Sequence, residues 1–402
     1  MSSGTPTRRS WITRGVVGIV LATFFSDVAH EAATAVLPLY LASIGLGPAA
    51  LGLVEGFADL VYSLAKLGGG VIGHRVERKR PIVAAGYALT MLGTSAMSLV
   101  SGAGAMMSLR AAAWVGRGVR SPMRDAMLAD EVEPTHFGRA YGIERAADMC
   151  GALVGPLLAI LLVWIGMSAR SVIAWTIVPA AIPVVAILFM TRDKRVAPQS
   201  RTSTKRAPLP RDFKRFLVGV LLFGLGDFSR AFLILLAARA LGDEGQSKPA
   251  TLSIAVAMYA LHNGVSALAA YPIGKWGDRT SKTRLLAWGY ALGVATNVVL
   301  AFGSDSMPWL VVAVVMSGVY VAAEETLEKA CGAQFLSRES RSLGLGVLGA
   351  SNAVGDMISS VAIGLAIGAG RPEIGFLGAA VFGVLGASWM FRIAKSQPDV
   401  GV

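Results

Sequence analysis

Arg110, Arg117 and Arg124 recur every seven residues within one largely apolar segment, and Arg120 lies three residues beyond Arg117. At about 100° per residue all four fall on one face of a single helix. A guanidinium keeps its charge, so such a stripe needs water, carboxylates or an anionic ligand beside it. Asp27, His30 and Glu31 form a second group, with spacings of three and four that place His30 and Glu31 beside Asp27. Side chains of these types can hold a divalent metal. They can also share a proton between neighbouring carboxylates, contact a substrate, or close a structural network. Arg145 and Asp148 are three apart, with Glu144 four residues before Asp148. Asp227 and Arg230 are also three apart and are expected to pair. Glu324, Glu325, Glu328 and Lys329 cluster in one later segment, and Asn352 and Asp356 lie one turn apart in another.

The elements that must carry these charges are oily. Of 402 residues, 54% are hydrophobic and 15% charged, and a soluble chain of this size carries about a quarter charged residues. Twelve segments are long enough to cross a bilayer, which takes about 20 mostly apolar residues. They are 15–43, 49–73, 81–101, 104–128, 137–166, 170–191, 214–241, 251–274, 284–303, 308–332, 342–369 and 373–394. The stretch from Arg192 to Arg215 is the one long polar break. It holds Pro198, Pro208, Pro210 and nine Lys or Arg, and reads as a flexible basic linker. An ionisable residue at membrane depth costs several kcal/mol unless it meets water or a partner. The buried charges therefore mark where the work is done.

Two basic turns of one design lie 204 residues apart. The first runs from Gly70 through His74, Arg75, Glu77, Arg78 and Lys79 to Arg80, the second from Gly274 through Asp278, Arg279 and Lys282 to Arg284. Each joins two apolar segments, as in a duplicated chain. Of the 37 Lys and Arg, 25 fall in, or within three residues of, the termini, the linker and the loops after segments 2, 4, 8 and 10; only Arg170, Lys248 and Arg371 lie in or at the edge of loops of the opposite side. This asymmetry predicts that both termini are cytoplasmic. It also accounts for the net charge of +12 without nucleic acid. The same offset carries Arg120, Arg124 and Asp125 onto Glu324, Glu328 and Lys329, every sign reversed, and Asp148 onto Asn352. One expectation is that Arg120 and Arg124 pair with Glu324 and Glu328 across a central cavity. A competing one sets Lys329 against Asp278 and Asp125 against Arg75, a network bracing two halves.

These features resemble the major facilitator superfamily along the whole chain. Gly274, Asp278 and Arg279 match that family's loop signature. Gly70, Arg75, Arg78 and Lys79 match its first copy, with His74 in place of an Asp and Glu77 in place of a Gly. The resemblance implies a cavity lined by segments 1, 4, 7 and 10. Gly151 to Pro156 resembles the core of the family's exporter-associated motif, without the Gly pair that follows it. The run Gly116 to Asp125, with Gly138-Arg139-Ala-Tyr-Gly142, is similar to a large group of bacterial facilitators.

The resulting expectation is an all-α membrane protein with twelve transmembrane helices in two pseudo-symmetric six-helix bundles, residues 1–191 and 214–402, joined by the linker 192–213. It would sit in a bacterial inner membrane as a monomer, contacting lipid, protons and a small solute, with no cofactor. Function reads as secondary transport by alternating access, proton-coupled and outward. Asp27, His30, Glu31, Arg117, Arg120, Asp148, Asp227, Arg230, Glu324, Glu325, Asn352 and Asp356 are the candidates for substrate or proton contact. Gly70, His74, Arg75, Arg124, Asp125, Gly274, Asp278, Arg279, Glu328 and Lys329 are the candidates for gating or bracing. The alternatives are a divalent metal exporter like the ferroportins, which use Asp and His in segment 1 at another spacing, and a membrane sensor that moves nothing. No phosphate-binding Gly-Lys-Ser/Thr loop, zinc pattern or Ser-His-Asp frame points to an enzyme. Cys150 and Cys331 give no disulfide framework.

Overall fold

The computed structural model describes residues 11–46, 48–193, 209–228, 230, 232, 233, 235, 236 and 248–396. Those residues are overwhelmingly helical and contain no strand. Helices α1 (Arg14–Ser43), α2 (Pro48–Arg75), α3 (Arg80–Ala96), α4 (Ala103–Glu131) and α5 (Phe137–Trp164) follow the first five apolar segments within a few residues. The sixth is split into α6 (Ala169–Trp175) and α7 (Ile177–Met190). Pro179 has no N–H to offer the carbonyl of Trp175, so the ladder breaks there. After the linker come α8 (Arg211–Gly224), α9 (Lys248–Arg279), α10 (Lys282–Gly303), α11 (Met307–Phe335), α12 (Arg341–Gly368) and α13 (Pro372–Ser396). The linker itself lies mostly outside the described residues.

Among the described residues, eight segments are long and apolar enough to cross a membrane, the α6–α7 pair counting as one. α4 spans 29 residues, about 43 Å at 1.5 Å per residue, but its four arginines take it out of that set. The outer surface fits lipid. Leu99, Trp164, Phe189, Leu268, Phe302 and Leu365 are all exposed, while Arg120, Arg124, Glu144, Glu324 and Glu328 are buried. Charge is inside and oil is outside, the reverse of a water-soluble protein.

Helices before the linker pack chiefly on one another, through α1 on α5 and α7 and through α4 on α2 and α3. Those after it do the same, through α10 on α11 and α13 and α8 on α12 and α13. The two sets meet along two seams, α2 against α12 and α5 against α9. The seams follow the 204-residue offset. Gly70 of α2 approaches the backbone of Ser342 and Gly346, and Gly274 of α9 approaches that of Gly138. Ser342 stands 204 residues after Gly138, as Gly274 does after Gly70. Glycine is required at Gly138 and Gly274, because a Cβ on either would overlap the other's carbonyl.

One segment departs from expectation. The apolar run 214–241 predicts a single helix through Asp227 and Arg230. Instead α8 stops at Gly224, and tight turns follow, Gly226 N donating to Phe223 O at 2.7 Å and Asp227 N to Gly224 O at 3.2 Å. Close packing of Gly224 on Gly355 and Gly226 on Ala379 draws the chain inward there. Asn297 Nδ2 donates to the carbonyl of Gly226 at 2.9 Å. Irregular backbone at membrane depth needs such a partner.

Candidate functional site

A cavity of about 330 Å³ lies between the two helix sets, with walls from α1, α2, α4 and α5 on one side and α11, α12 and the stretch after α8 on the other. Of the expected contact residues, Asp27, Arg117, Arg120, Asp148, Asp227, Arg230, Glu324, Glu325, Asn352 and Asp356 line it. Arg124, Asp125, Glu328 and Lys329 line it too, although sequence placed them in a gate.

The arginine stripe of α4 is fastened along α1. Arg110 donates to Thr34 at 2.9 Å, Arg117 to Asp27 at 2.6 Å, Arg120 to Ser26 at 2.8 Å and Arg124 to Thr23 at 3.1 Å. Arg120 also donates to Thr90 at 2.9 Å and lies 3.9 Å over the Tyr87 ring. Arg124 completes its shell with Asp125 at 2.9 Å and Glu144 at 2.7 Å. Arg120 and Arg124 are therefore committed within their own half. They do not pair with Glu324 and Glu328. Glu328 accepts from Asn352 at 2.7 Å and from the Tyr290 hydroxyl. Arg124 of α4 thus reaches Glu144 on the following helix α5, and Glu328 of α11 reaches Asn352 on the following helix α12.

The halves are bridged elsewhere. Arg145 of α5 grips both Asp148, one turn along, and Glu325 of α11 at 2.9 Å. Arg230 reaches Glu325 from the other side at 3.5 Å. Asp227, expected to pair with Arg230, accepts from the Tyr320 hydroxyl at 2.7 Å, while Arg230 makes its ion pair with Glu325. The carboxyl groups of Asp27 and Asp148 face each other within hydrogen-bonding range. A continuous chain results, Arg117–Asp27–Asp148–Arg145–Glu325–Arg230, running from α4 to the stretch after α8. Lys329 makes a second bridge, to Asp125 at 3.7 Å and Glu144 at 3.5 Å. It does not face Asp278, nor does Asp125 face Arg75, which is exposed at the end of α2.

The basic-turn end of the molecule is closed by a third set of contacts. The carboxylate of Asp278, fully buried, accepts from the backbone N–H groups of Gly138 at 2.8 Å and Arg139 at 3.0 Å and so caps α5 from the opposite half. Lys282 holds the same carboxylate at 3.3 Å. At the equivalent place in the other seam, His74 Nδ1 meets the carbonyl of Glu339 at 2.9 Å. The change of Asp to His exchanges a carboxylate that caps N–H groups for a ring that donates to a carbonyl. Asp130 at the end of α4 binds Arg341 at 2.6 Å and Arg338 at 3.2 Å. Arg279, like Arg75, is exposed.

The sequence matches the profile of the Major Facilitator Superfamily twice, over residues 19–241 and 216–401. The chain belongs to this superfamily of membrane transporters. Among its relatives are an MFS-type transporter of Methanocaldococcus jannaschii, 26% identical over 84% of each chain, and the multidrug resistance protein MdtH of Proteus mirabilis, 24% identical over 86% of this chain and 79% of that one. Its fold is similar to the human organic anion transporter MFSD10, with TM-score 0.74, 15% identity and coverage of 94% and 99%. It is also similar to a bacterial homologue of the iron transporter ferroportin in its outward-facing state, with TM-score 0.77, 13% identity and coverage of 95% and 99%. The protein is accordingly a multi-pass membrane transporter.

Within this facilitator, the segment 1 trio is divided rather than joined. Asp27 faces the cavity. His30 is buried with its ring edge-on to Trp114 at 5.0 Å and borders a separate small pocket with Ser26, Tyr87 and Thr90. Glu31 packs its Cβ against Gly155 of α5. Among the described residues no group of three His, Cys, Asp or Glu is gathered to hold a metal. Arg145 and Glu144 are more central than their sequence positions suggest, Arg145 holding Asp148 and Glu325 and Glu144 holding Arg124. The spacing of Arg145 shows the i,i+3 pair with Asp148 but not the reach across the seam to Glu325. Tyr290, Tyr320 and Asn297 carried no signal, since a polar tip on an apolar helix looks like any core residue.

Proposed function

We propose that this protein is a proton-coupled secondary transporter that exports a small solute by alternating access. In this reading twelve spans form two pseudo-symmetric six-helix bundles, 1–191 and 214–402, joined by the basic linker 192–213. They sit as a monomer in a bacterial inner membrane, with both termini and the basic turns cytoplasmic. The lysine and arginine asymmetry supports that orientation, and the 204-residue symmetry of the seams supports the bundles.

The observation that carries the reading is the charge chain along the cavity from Arg117 to Arg230, which crosses between the halves at Arg145 and Glu325. Two carboxyl groups in contact accommodate one proton between them. Asp27 and Asp148 are such a pair, and Arg145 is shared between that pair and Glu325. When the halves rock apart at this seam, Arg145 loses Glu325 and its full charge falls on Asp148. The proton then has less reason to stay. Movement and proton release are linked through one guanidinium. The contacts of Asp278, His74 and Asp130 hold the basic-turn end shut in this conformation, consistent with a cavity served from the other face. The multidrug resistance relative favours the outward direction.

Purified protein in liposomes loaded with a pH-sensitive dye tests this. Solute addition should drive proton flux, and Asp27→Asn or Asp148→Asn should abolish the flux while solute counterflow persists. Solute transport with no proton movement in the unsubstituted protein would discard the coupling. Counterflow in neither direction would leave the non-transporting sensor.

A further inference from the structure

The two walls of the cavity do not carry the same charge. On the side of α1, α2, α4 and α5, Asp27, Asp125 and Asp148 face five cationic side chains, Lys66, Arg117, Arg120, Arg124 and Arg145. On the other side, Asp227, Glu324, Glu325, Glu328 and Asp356 face only Arg230 and Lys329. Lys329 is drawn across the seam to Asp125 and Glu144, and Arg230 reaches Glu325. Glu328 is satisfied by Asn352 and Tyr290. What remains is Asp227, Glu324 and Asp356, three carboxylates on one wall with no ion pair among the described residues.

Glu324 is the clearest of the three. It is 4% exposed, and its Oε2 is buried with no hydrogen-bond partner among the described residues. Asp356 Oδ1 is in the same position, from α12. Asp227 uses one oxygen on the Tyr320 hydroxyl. The groups that face this trio are Arg230 from the stretch after α8, Lys66 from α2, and Tyr320, Glu325 and Glu328 from α11. Lys66 lies 4.5 Å over the ring of Tyr62, on its own helix. Buried acceptors without donors are costly, and buried carboxylates more so. A metal ion would need a gathered ligand set, and none is formed among the described residues. A protonated amine or amidinium brings both a positive charge and N–H donors, and the cavity is large enough for a small molecule carrying one.

We propose that Asp227, Glu324 and Asp356 form the site for an N–H-bearing cationic group of the transported solute, so that the cargo is an organic amine or amidine. This deepens the transporter reading and rests on it. A quaternary ammonium lacks the donors that Glu324 Oε2 and Asp356 Oδ1 require. An anionic solute would meet the acidic wall directly. Selectivity should therefore follow donor count as well as charge.

The test uses three dansyl-labelled probes on one linker, ending in a primary amine, a trimethylammonium or a carboxylate. Fluorescence anisotropy with the full-length protein in detergent at low salt reads their affinities. The amine should bind about tenfold or more tighter than either counterpart, equal to about 1.4 kcal/mol. Glu324→Gln and Asp356→Asn should each lower amine affinity by a similar factor; Asp356, being half-buried, keeps the test available if Glu324→Gln fails to fold. Equal binding of the three probes, no amine binding, displacement of the amine by Mn²⁺ at lower concentration than by unlabelled amine, or undiminished amine affinity in both variants overturns the site. Amine counterflow in liposomes separates the two claims. Binding without counterflow refutes transport and leaves the site standing, whereas solute-driven proton flux with unchanged affinity in both variants refutes the site and leaves transport standing.

Discussion

Arg145 and Glu325 meet at 2.9 Å across the seam between the halves, and each is held from behind, Arg145 by Asp148 and Glu325 by Arg230. A pair that only braced the protein would not need its partners divided in this way. If the contact forms and breaks in each cycle, Glu325→Gln should lower solute flux about tenfold or more, with little loss of folding, since Asp148 still neutralises Arg145. Arg145→Glu alone should be inactive, because it sets three carboxylates together. The exchange of both, Arg145→Glu with Glu325→Arg, should recover part of the flux, as a double-mutant cycle reads coupling between contacting residues. Flux in liposomes checks each variant, and equal activity of Glu325→Gln and the parent removes the pair from the cycle.

Arg124 and Glu328 behave differently, although the repeat offset makes them counterparts. Arg124 is satisfied by Asp125, Glu144 and Thr23, and Glu328 by Asn352 and Tyr290. Arg124→Ala leaves Glu144, whose side chain is 1% exposed, with only the Thr23 hydroxyl at 3.2 Å and Lys329 at 3.5 Å. Removing one member of a buried ion pair typically costs about 3–5 kcal/mol. The variant should melt well below the parent in a detergent thermal scan. The exchange Arg124→Glu with Glu328→Arg should give no rescue, because neither residue faces the other.

The contrast shows what was legible in the sequence. Apolar runs located most of the helices within a few residues, since a bilayer sets their length. The basic turns gave the duplication, and the same offset reappears in the Gly70–Ser342 and Gly138–Gly274 approaches. Which charge meets which was not legible. Reversed signs at Arg120 and Glu324 look complementary, but symmetry relates positions and does not bring them into contact. Arg120 had nearer acceptors in Ser26, Thr90 and the Tyr87 ring. The break after α8 was hidden because Gly224 and Gly226 are common in membrane helices, and only the packing on Gly355 and Ala379 marks them as a turn.

Closure of the basic-turn end depends on two backbone approaches with no room for a side chain. Gly138→Val or Gly274→Val should force α5 and α9 apart there, since each Cβ would overlap the facing backbone. The expected outcome is a shift toward a conformation open at that end, with the fold of each half intact. Spin labels placed on α2 and α12 near the basic turns should report a longer distance in these variants than in the parent. An unchanged distance distribution would show that the crossing tolerates bulk and does not set the conformational balance.

Asp278 acts in that closure through α5, as its carboxylate caps Gly138 and Arg139 from the other half. Loss of an N-terminal cap costs about 0.5–2 kcal/mol. Asp278→Asn keeps one acceptor oxygen but loses the charge that holds Lys282 at 3.3 Å and Arg139 at 3.2 Å. It should therefore weaken the closed end less than Gly274→Val does, while Asp278→Ala should approach that variant. His74→Ala, in the other seam, removes a single contact to the Glu339 carbonyl and should have the smallest effect of the four. Ranking these four by the spin-label distance tests whether the two seams share the closing energy unequally. An effect of His74→Ala equal to that of Asp278→Ala would show that the exchange of Asp for His left the first seam as strong as the second.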